Sequence, residues 1–313
     1  MSSASSPCSS GVRSAVLSIG RIYCDLIFTG LDALPELGKE TFAQDMNIAA
    51  GGGAFITAAH LAHKGRACAL LARLGLDPLS VGILPELEAA GADLRFLERC
   101  VTAGPQVTVA SVVDNDRAFL SRRAGTALPA TLEDALNWSD AGHLHIAEYA
   151  TLHEIPDLIT RAKAKGLTVS LDPSWDETLI YDPALLNACK GADIFLPNQE
   201  EALAITGHKD PFAALNALAE HFPCVVLKGG ADGAWLKAGD LQLHKSAEAV
   251  TVVDTTGAGD AFNAGFIDSW MQGVGLEAAL SEGIICGSLA VQAAGGAAIL
   301  AAKPESNKAA LLS

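Results

Sequence analysis

The chain has 313 residues and half of them are hydrophobic, which is enough to bury the core of one large domain. Its 36 acidic residues outnumber 21 lysines and arginines, and the formal net charge of −15 argues against a nucleic acid or an anionic membrane surface as a partner. Seven cysteines are scattered along the chain without a Cys-x-x-Cys pair, which is typical of a cytoplasmic protein rather than a disulfide scaffold.

The two ends of the chain are predicted to lie outside the domain. Residues 1–14 are rich in serine and lack the basic start and apolar centre of a signal peptide, so we expect a disordered tail. Residues 304–313 are expected to form a second tail, which leaves one domain at 15–303. Within it, residues 283–302 carry no charge but hold few large apolar side chains, which favours a buried helix over a membrane span.

Strand and helix patterns alternate in the first part of the chain. A short apolar run at 15–19 predicts a strand, and Asp25 follows it, either as solvated surface or as a ligand for a polar substrate. Three glycines at 51–53 precede a predicted helix at 54–64. They form either a flexible loop or a turn where the backbone approaches a ligand. The next predicted elements are a strand at 67–72 and a helix from 77 to about 90.

A hairpin interrupts this alternation. Strand patterns at 107–113 and 118–121 flank a polar turn, which predicts two antiparallel strands. Because a hairpin does not fit a repeat of strand and helix, we expect a small separate β-sheet that acts as a lid, formed by about 22–46 and 100–124. Three basic side chains near the hairpin either contact a substrate or face solvent; they are Arg117, Arg122 and Arg123.

Regular alternation returns after the hairpin. It predicts an α/β fold with a mainly parallel, Rossmann-like sheet and helices on both faces. The predicted strands lie at 143–147, 167–171, 193–196, 224–227, 234–237, 241–244 and 249–253. The predicted helices lie at 153–165, 183–190, about 198–206, 211–221, from 260 onward, and at 276–294.

Polar side chains follow several of these strands, at the point where each strand ends. They are Asp25, Asp172, Asn198, Glu201 and Lys228. Because parallel strands end at one edge of a sheet, we expect these side chains to converge there. Taken alone, Asp172 is also typical of a turn. Glu148 follows the strand predicted at 143–147 and lies at the same edge, where it either contacts the substrate or has no part in binding.

The segment 249–266 combines three patterns. A β-branched run at 249–253 predicts a strand, Gly257-Ala258-Gly259 is a turn with almost no side chains, and an apolar stripe from Asp260 onward predicts a helix. Backbone N–H groups at such a turn, together with the helix dipole, form an anion cradle. The Asp260 carboxylate either caps this helix or takes a proton from a hydroxyl that attacks a phosphorus. No Gly-Lys-Ser/Thr follows, so the turn is not a Walker loop.

Residues 254–262, Asp-Thr-Thr-Gly-Ala-Gly-Asp-Ala-Phe, resemble the C-terminal signature of the ribokinase-like (PfkB) carbohydrate kinase family. Gly51-Gly52 and the following helix resemble its N-terminal signature, and Asn198-x-x-Glu201 resembles its metal-associated motif. The resemblance covers nearly the whole chain after the first tail. It implies a Rossmann-like sheet with a β lid, and transfer of the γ-phosphoryl group of ATP to a sugar-like alcohol.

The resemblance also implies roles for individual residues. Asp260 would deprotonate the acceptor hydroxyl, and the amides of Gly257, Ala258 and Gly259 would stabilise the transferring group. The other implied sets are Asp25, Gly51 and Gly52 at the sugar hydroxyls, Lys228, Gly230, Gly233 and Asn198 at the nucleotide, Glu201 and Asn198 at Mg²⁺, and Asp254 and Thr256 near a monovalent cation such as K⁺.

The acceptor half of the pattern departs from the family. Tyr23 replaces the Asn that ribokinases place two residues before the sugar-binding Asp, Gly53 replaces a Lys, and Ile56 occupies a position that often holds a sugar-contacting Asn. The phosphoryl-transfer half keeps its residues. We therefore expect a less polar acceptor pocket, with Tyr23 and Phe55 as walls, that suits a modified sugar or a nucleoside.

Several classes of function compete. The first is an ATP-dependent, Mg²⁺-requiring carbohydrate kinase, with a nucleoside kinase of the same fold as the near alternative. The second is a non-catalytic sugar-binding protein, which would have no need of a base at Asp260. An NAD-type oxidoreductase is disfavoured, because only Gly20 occupies the turn where Gly-x-Gly-x-x-Gly belongs. By resemblance we also expect a homodimer.

Overall fold

A computed structural model of the protein describes residues 13–113, 116–293, 295–297 and 300, without the side chains of residues 116 and 117. The tail predicted at 304–313, most of the tail predicted at 1–14, and the Arg117 side chain lie outside this description. The limits of the domain therefore stay a prediction.

The elements in the described part of the chain follow the predicted alternation of strand and helix. The strands are β1 (Ala15–Ile19), β2 (Tyr23–Leu31), β3 (Asp45–Gly51), β4 (Cys68–Leu74), β5 (Leu97–Arg99), β6 (Val107–Val113), β7 (Asp116–Arg122), β8 (Ala141–Ile146), β9 (Thr168–Leu171), β10 (Ile194–Phe195), β11 (Cys224–Lys228), β12 (Ala234–Ala238) and β13 (Leu241–Lys245). The helices are α1 (Gly53–His63), α2 (Pro78–Gly82), α3 (Leu84–Ala89), α4 (Leu132–Leu136), α5 (Tyr149–Glu154), α6 (Leu158–Ala164), α7 (Leu185–Ala188), α8 (Gln199–Thr206), α9 (Pro211–Leu218), α10 (Ala258–Gln272) and α11 (Leu276–Ala290).

The larger of two sheets is mainly parallel, as predicted. Its strand order in the described residues is β13-β12-β11-β10-β9-β8-β1-β4-β5. The strands from β11 to β5 pair in parallel, and β12 and β13 add an antiparallel edge. The chain builds outward from β1 in one direction and from β8 in the other. The order therefore reverses between β1 and β8, and ligands of open α/β sheets bind beside such a point.

A smaller sheet of order β3-β2-β6-β7 stands apart from the large one. Strand β2 pairs antiparallel with β3 and parallel with β6, and β6 pairs antiparallel with β7. Because β2 begins four residues after β1 ends and β3 leads through Gly52 into α1, the small sheet is attached to the edge where the parallel strands end. Any ligand at that edge lies beneath it.

Helices cover both faces of the large sheet, because the side chains of its strands are apolar on both sides. Leu17 and Ile19 of β1 belong to a core packed against α4 to α9, whereas Val16 belongs to a core packed against α1 and α10. Burying a Leu or Ile side chain contributes roughly 1.5–3 kcal/mol. Neither face of β1 could remain in water without losing several such contributions, so the two-faced arrangement follows from the composition of the strands.

The segment 249–253 is not a strand, contrary to the prediction. Val252 and Val253 are 58% and 60% exposed, and no strand ladder in the described residues includes them. The backbone N–H of Val253 donates instead to the carbonyl of Val291, just after α11. A β-branched run forms a strand only where a neighbouring strand accepts its hydrogen bonds, and composition cannot show whether such a neighbour exists.

Four predicted helices are shorter than expected. The helix predicted at 77–90 is divided into α2 and α3 before Pro85, and the one predicted at 153–165 is divided between α5 and α6 at Pro156, because proline lacks an N–H and clashes with the preceding turn. The helix predicted at 183–190 is reduced to α7. In the charge-free stretch 283–302, helix α11 ends at Ala290. No helix in the described ranges is long and apolar enough to cross a membrane.

Candidate active site

Two cavities open at the edge of the large sheet where its parallel strands end. The first has a volume of about 560 Å³, and its wall includes Tyr23 and Asp25 of the small sheet. The second has a volume of about 300 Å³. Ser174 and Asp260 line both cavities, so the two spaces meet at these residues. A third cavity, of about 690 Å³, lies beside the small sheet and shares no residue with the other two.

Asp260 is the third residue of α10, and its carboxylate lies where the two cavities meet. The helix begins after Gly257, whose φ is 73°, and no side chain caps it. The alternative interpretation of Asp260 as a helix cap is therefore wrong. Burial raises the pKa of Asp260 to about 7, the charge of Asp172 adds to this shift, and Lys228 opposes it. A carboxyl group with such a pKa can accept a proton at neutral pH and release it again.

The three glycines at 51–53 each leave room for a specific neighbour. A Cβ at Gly51 would lie 2.0 Å from an oxygen of Asp25, and one at Gly53 would lie 2.6 Å from Oδ1 of Asp260. Gly52 has a φ of 97°, and a Cβ there would lie 2.2 Å from the carbonyl oxygen of Arg21. This turn is therefore not a flexible loop. It is bare so that two carboxylates can pack against the backbone.

The turn at 257–259 lies between the two cavities, and within it the N–H of Ala258 donates to the carbonyl of Thr255 at 3.3 Å. Gly257 lines the first cavity and Gly259 lines the second. The first N–H groups of a helix have no acceptor within it and carry the positive end of its dipole. Ile56 packs beneath the turn, since a Cβ at Gly257 would lie 3.1 Å from its Cδ1. The apolar residue that departs from the family pattern thus packs against the turn for which the sequence predicts anion binding.

Lys228 lies among carboxylates in the second cavity. Its Nζ donates to Oδ2 of Asp172, and the same oxygen accepts from Nδ2 of Asn263 at 2.6 Å. The other Asp172 oxygen accepts from the N–H of Ser174 at 3.0 Å. Burial alone lowers the pKa of Lys228, but the charges of Asp172 and Glu201 raise it overall. The ammonium group therefore stays charged, and it lies 3.3 Å from where a Cβ at Gly259 would be.

Asn198 and Glu201 hold the beginning of α8 as well as lining the second cavity. Oδ1 of Asn198 accepts the N–H of Glu201 at 2.9 Å, and Oε2 of Glu201 accepts the N–H of Asn198 at 2.8 Å, which is a reciprocal capping box. Burial raises the pKa of Glu201 to about 7, and the charge of Asp172 adds to the shift. Among the described residues, no three acidic, histidine or cysteine side chains converge as metal ligands.

The remaining candidates of the nucleotide and cation sets shape the backbone. One oxygen of Asp254 accepts the N–H of Thr256 at 2.9 Å and its O–H at 2.7 Å, and the other accepts the N–H of Gly295 at 2.9 Å. Gly230 lines the second cavity, whereas Gly233 packs against the carbonyl oxygen of Lys245, where a Cβ would lie 1.9 Å away. A monovalent cation beside Asp254 and Thr256 stays a prediction.

The first cavity is more polar than expected. Phe55 is fully buried in the core and is not one of its walls, which corrects the prediction, while Tyr23 does line it. Arg123, Phe119 and Trp175 also line this cavity. Sequence periodicity placed Phe55 near the glycine turn, but a helix residue can face either the turn or the core.

Several residues of the two cavities went unnoticed in the sequence. Ser174 lines both cavities and has a φ of 52°, which is uncommon for a residue other than glycine and is typical of functional sites. Its place just after the end of β9, two residues beyond Asp172, could have identified it. Thr108 and Ser121 lie in the predicted hairpin and Trp175 directly follows Ser174, but no motif distinguishes these three residues from their neighbours.

The family model for pfkB family carbohydrate kinases matches residues 13–303. The chain belongs to this family. It is therefore an ATP-dependent kinase of the sugar and nucleoside kinase type, as the resemblance of its signatures predicted.

Individual pfkB relatives match this kinase along most of its length. The ATP-dependent ribose-1-phosphate kinase of Halopiger xanaduensis is 30% identical, over 88% of this chain and 90% of its own. The 2-dehydro-3-deoxygluconokinase of Bacillus subtilis is 28% identical, over 86% of each chain. The structure of Arabidopsis thaliana ribokinase complexed with ribose and ATP superimposes with a TM-score of 0.79 at 24% identity, covering 92% of this chain and 95% of that one. The predicted ribokinase-like fold is confirmed.

Substitution of Gly53 by Ala is expected to displace Asp260 in this kinase. The new Cβ would lie 2.6 Å from Oδ1 of Asp260, so the carboxylate must move, and a shift of about 1 Å in a reacting group can cost about a hundredfold in rate. We expect kcat to fall by about 10- to 100-fold, with the KM for ATP changed by less than about threefold. Steady-state kinetics with ATP as the varied substrate measures both.

The matched control for this prediction is Gly82→Ala. Gly82 is also helical, but a Cβ there meets nothing within 4 Å. This variant should keep full activity. If Gly53→Ala keeps it too, the close packing of the glycine turn against Asp260 has no part in catalysis.

Proposed function

We propose that this kinase transfers the γ-phosphoryl group of ATP to a hydroxyl group of a sugar or sugar-like molecule bound in the first cavity. In this proposal Asp260 is the general base and the turn at 257–259 is the anion hole. One observation carries it: Asp260, with a pKa of about 7, lies where the two cavities meet, beside the beginning of α10. An acceptor in one cavity and a nucleotide in the other would meet at this carboxylate.

The reaction follows from these positions. The unprotonated Asp260 carboxylate takes the proton of the acceptor hydroxyl as its oxygen forms a bond to the γ-phosphorus. The bond between that phosphorus and the oxygen that bridges it to ADP breaks at the same time, so ADP is the leaving group. The backbone N–H groups of Gly257, Ala258 and Gly259 stabilise the negative charge on the transferring group. Asp260 then loses its proton to water.

The acceptor and nucleotide are held by different elements in this proposal. Tyr23 and Asp25 of β2, with the glycine turn at 51–52, would bind the acceptor. The nucleotide phosphates would lie in the second cavity, against the side chains and backbone that line it; these are Lys228, Asn198 and Gly230, with Gly233 in the loop beyond. Both relatives named above phosphorylate small sugar derivatives according to their names, which supports an acceptor of this size.

The second cavity fits Mg²⁺ bound through water and phosphates. Mg²⁺ in kinases is bound by one or two carboxylates together with substrate phosphates, and it neutralises phosphate charge. Glu201 and Asn198 would supply oxygen ligands there. Glu201 is only 4% exposed, and a nearby cation lowers the cost of burying its negative charge. K⁺ beside Asp254 and Thr256, and assembly into a homodimer, are further parts of the proposal.

Substitution of Glu201 by Gln separates the two roles of this side chain. A Gln at this position keeps the capping box, because its amide oxygen also accepts the N–H of Asn198. The variant loses the negative charge that would attract Mg²⁺. We expect the concentration of Mg²⁺ at half-maximal activity to rise about tenfold or more, while the free energy of unfolding changes by less than about 1 kcal/mol.

The control is Glu200→Gln, which alters the exposed neighbouring carboxylate. Magnesium titrations of activity and thermal denaturation of all three proteins provide the comparison. An unchanged Mg²⁺ requirement in Glu201→Gln would remove this residue from the proposed metal site.

A screen for ADP release tests the proposed function itself. The panel contains neutral sugars, sugar acids, sugar phosphates and nucleosides, each with ATP and Mg²⁺. We expect turnover of at least one sugar derivative and its loss in Asp260→Asn. Preferred turnover of a nucleoside would favour the alternative acceptor class, for which the exposed rings of Phe119 and Trp175 are the supporting observation. Binding of a sugar without any ADP release would point to the non-catalytic alternative.

A further inference from the structure

The first cavity is lined by two chemically different sets of side chains. Asp25, Glu148 and Asp260 line it with carboxylates, which accept hydrogen bonds and suit the hydroxyl groups of a sugar. Arg123, Tyr23 and the Thr108–Ser121 pair line it with hydrogen-bond donors. A wholly neutral polyol would use the first set and would bring no negative charge to the second.

The donor side chains around Arg123 have N–H and O–H groups that remain available to a ligand. Nε of Arg123 donates to the hydroxyl oxygen of Tyr23 at 3.3 Å, and Nη1 donates to Asp176, so Nη2 remains for a ligand. Since Tyr23 accepts from Arg123, its own O–H can donate elsewhere. The hydroxyl oxygens of Thr108 and Ser121 lie 3.1 Å apart, so one of these groups donates to the other and the second keeps its hydrogen.

Arg123 is held in place by contacts on both sides. The buried guanidinium group of Arg21 donates to the carbonyl oxygens of Ala124 at 3.2 Å and Gly125 at 3.1 Å, which fixes the backbone next to Arg123. Asp176 fixes the side chain, and its own carboxylate is held by the N–H groups of Thr178 and Leu179. A guanidinium group that is ordered before binding loses little entropy when a ligand arrives.

The strand register shows how Asp25, Tyr23, Thr108 and Ser121 are spaced on the small sheet. Asp25 and Tyr23 lie on one face of β2, two residues apart, which corresponds to about 7 Å. Thr108 on β6 is paired with Asp25, and Ser121 on β7 is paired with Thr108, so the hydroxyl pair lies beside Asp25 in the small sheet. Asp25, Tyr23 and the hydroxyl pair therefore share one face of the small sheet and can contact different groups of one small molecule.

We propose that the acceptor of this kinase carries an oxyanion group, a phosphate or a carboxylate, and that Arg123 with the hydroxyls of Tyr23 and the Thr108–Ser121 pair binds that group. This inference rests on the proposed function and names its substrate class: a sugar phosphate or a sugar acid. Arg123 then determines specificity. The carboxylates bind the hydroxyl groups of a neutral sugar as well, but only an anionic acceptor places a negative charge against Arg123. An alternative interpretation makes Arg123 only a strut between the small sheet and Asp176.

Matched acceptors and an Arg123→Met variant distinguish these interpretations. The pairs are D-ribose with D-ribose 1-phosphate, and D-glucose with D-gluconate, with inosine as a nucleoside. We expect the anionic member of at least one pair to have a kcat/KM at least tenfold above its neutral partner. In Arg123→Met that value should fall by about 10- to 100-fold, the range for losing a hydrogen bond to a charged group, while the neutral partner changes by less than about threefold. The two pairs show whether phosphate or carboxylate is preferred.

Two further variants serve as controls. Arg122→Met removes the neighbouring guanidinium group, which donates to the carbonyl of Pro105 and does not line the cavity, so it should leave all values unchanged. Asp176→Asn tests whether Arg123 serves only to connect the small sheet to Asp176. If Arg123→Met and Asp176→Asn lower the values for neutral and anionic acceptors equally, the proposal is overturned. Preference for a neutral sugar or inosine in the wild-type protein overturns it as well.

Calorimetry keeps the inference testable if no acceptor is phosphorylated. That outcome would refute the proposed kinase reaction on these acceptors, but binding of D-ribose 1-phosphate and D-gluconate to the wild-type protein can still be measured. Binding of either compound that is at least tenfold weaker in Arg123→Met and unchanged in Arg122→Met supports an oxyanion site. Equal affinity in the wild type and Arg123→Met, or no binding to either, overturns it.

Discussion

Substitution of Asp260 by Asn should lower kcat by about 10²- to 10⁴-fold, the usual contribution of a general base. The amide has nearly the same shape as the carboxylate, so binding of ATP and acceptor should persist while proton transfer is lost. Steady-state kinetics on an active acceptor measures the effect. Asp240→Asn, at the exposed turn between β12 and β13, is the matched control and should keep full activity. Unchanged turnover in Asp260→Asn would refute the mechanism.

The pH dependence of the wild-type enzyme should report the same carboxyl group. Its pKa of about 7 means that Asp260 is protonated, and unable to act as a base, in much of the population below pH 7. We therefore expect kcat/KM to rise with pH and to reach half its maximum near pH 7. The residual activity of Asp260→Asn should lack this acidic limb. An acidic limb near pH 4 would show that the carboxylate is not shielded from water as the structure indicates.

The same substitution should stabilise the protein at alkaline pH. The pKa of Asp260 is about 7 in the folded protein, and the ordinary value for an aspartate, 3.8, applies to the unfolded chain. Between these two pH values the folded state therefore binds a proton that the unfolded chain has released. Stability from this group therefore falls as the pH rises from about 4 to 7, and the loss is complete above the folded pKa. At pH 8 we expect Asp260→Asn to be more stable than the wild type by about 1 kcal/mol or more, since one pKa unit corresponds to about 1.4 kcal/mol. Below pH 4 the difference should vanish, which denaturation at both pH values checks.

Substitution of Lys228 by Met should damage both catalysis and stability. The ammonium group is bonded to Asp172 and lowers the pKa of Asp260 and Glu201 by its charge. Removing one partner of a buried ion pair leaves the other unpaired, so we expect a loss of about 3 kcal/mol in the free energy of unfolding. Activity should fall by about 10²- to 10³-fold if the ammonium group also stabilises the transferring phosphoryl group. The acidic limb of the rate profile should move to higher pH.

A double substitution separates the two effects of Lys228→Met. In Asp172→Asn combined with Lys228→Met, no unpaired carboxylate remains at residue 172, so much of the stability should return while activity stays low. Lys237→Met, on the neighbouring strand β12 and bonded to Asn216 at the surface, is the control for loss of a lysine. If the double variant recovers activity as well as stability, Lys228 serves only to neutralise Asp172.

Features that are formed by neighbouring residues could be predicted from the sequence. Asp260 and the bare turn before it belong to one continuous run of residues, and the helix predicted there is present as α10. The same is true of the Asn198 and Glu201 pair, although its capping box emerged only in the structure. Local patterns work here because a helix terminus is specified by residues that follow one another along the chain.

Elements that depend on a distant neighbour were predicted less well. Residues 249–253 have the composition of a strand, yet they lie exposed beside the end of α11 because no strand edge is available to them. At Pro85 and Pro156 the missing N–H of proline divides the helices although the apolar periodicity continues through both positions. Phe55 was placed at the pocket although the helix turns it into the core.

The sequence by itself determined the family and the fold class, since these depend on motifs and element patterns that are continuous along the chain. The tertiary structure decided which side chains line the first cavity. Thr108 and Arg123 come from the hairpin of β6 and β7 and Trp175 from the loop after β9, and they line one cavity because the small sheet stands over the large one. The three glycines at 51–53 likewise acquire their meaning from Asp25, Arg21 and Asp260, whose close approach is a matter of three-dimensional packing that no local pattern records.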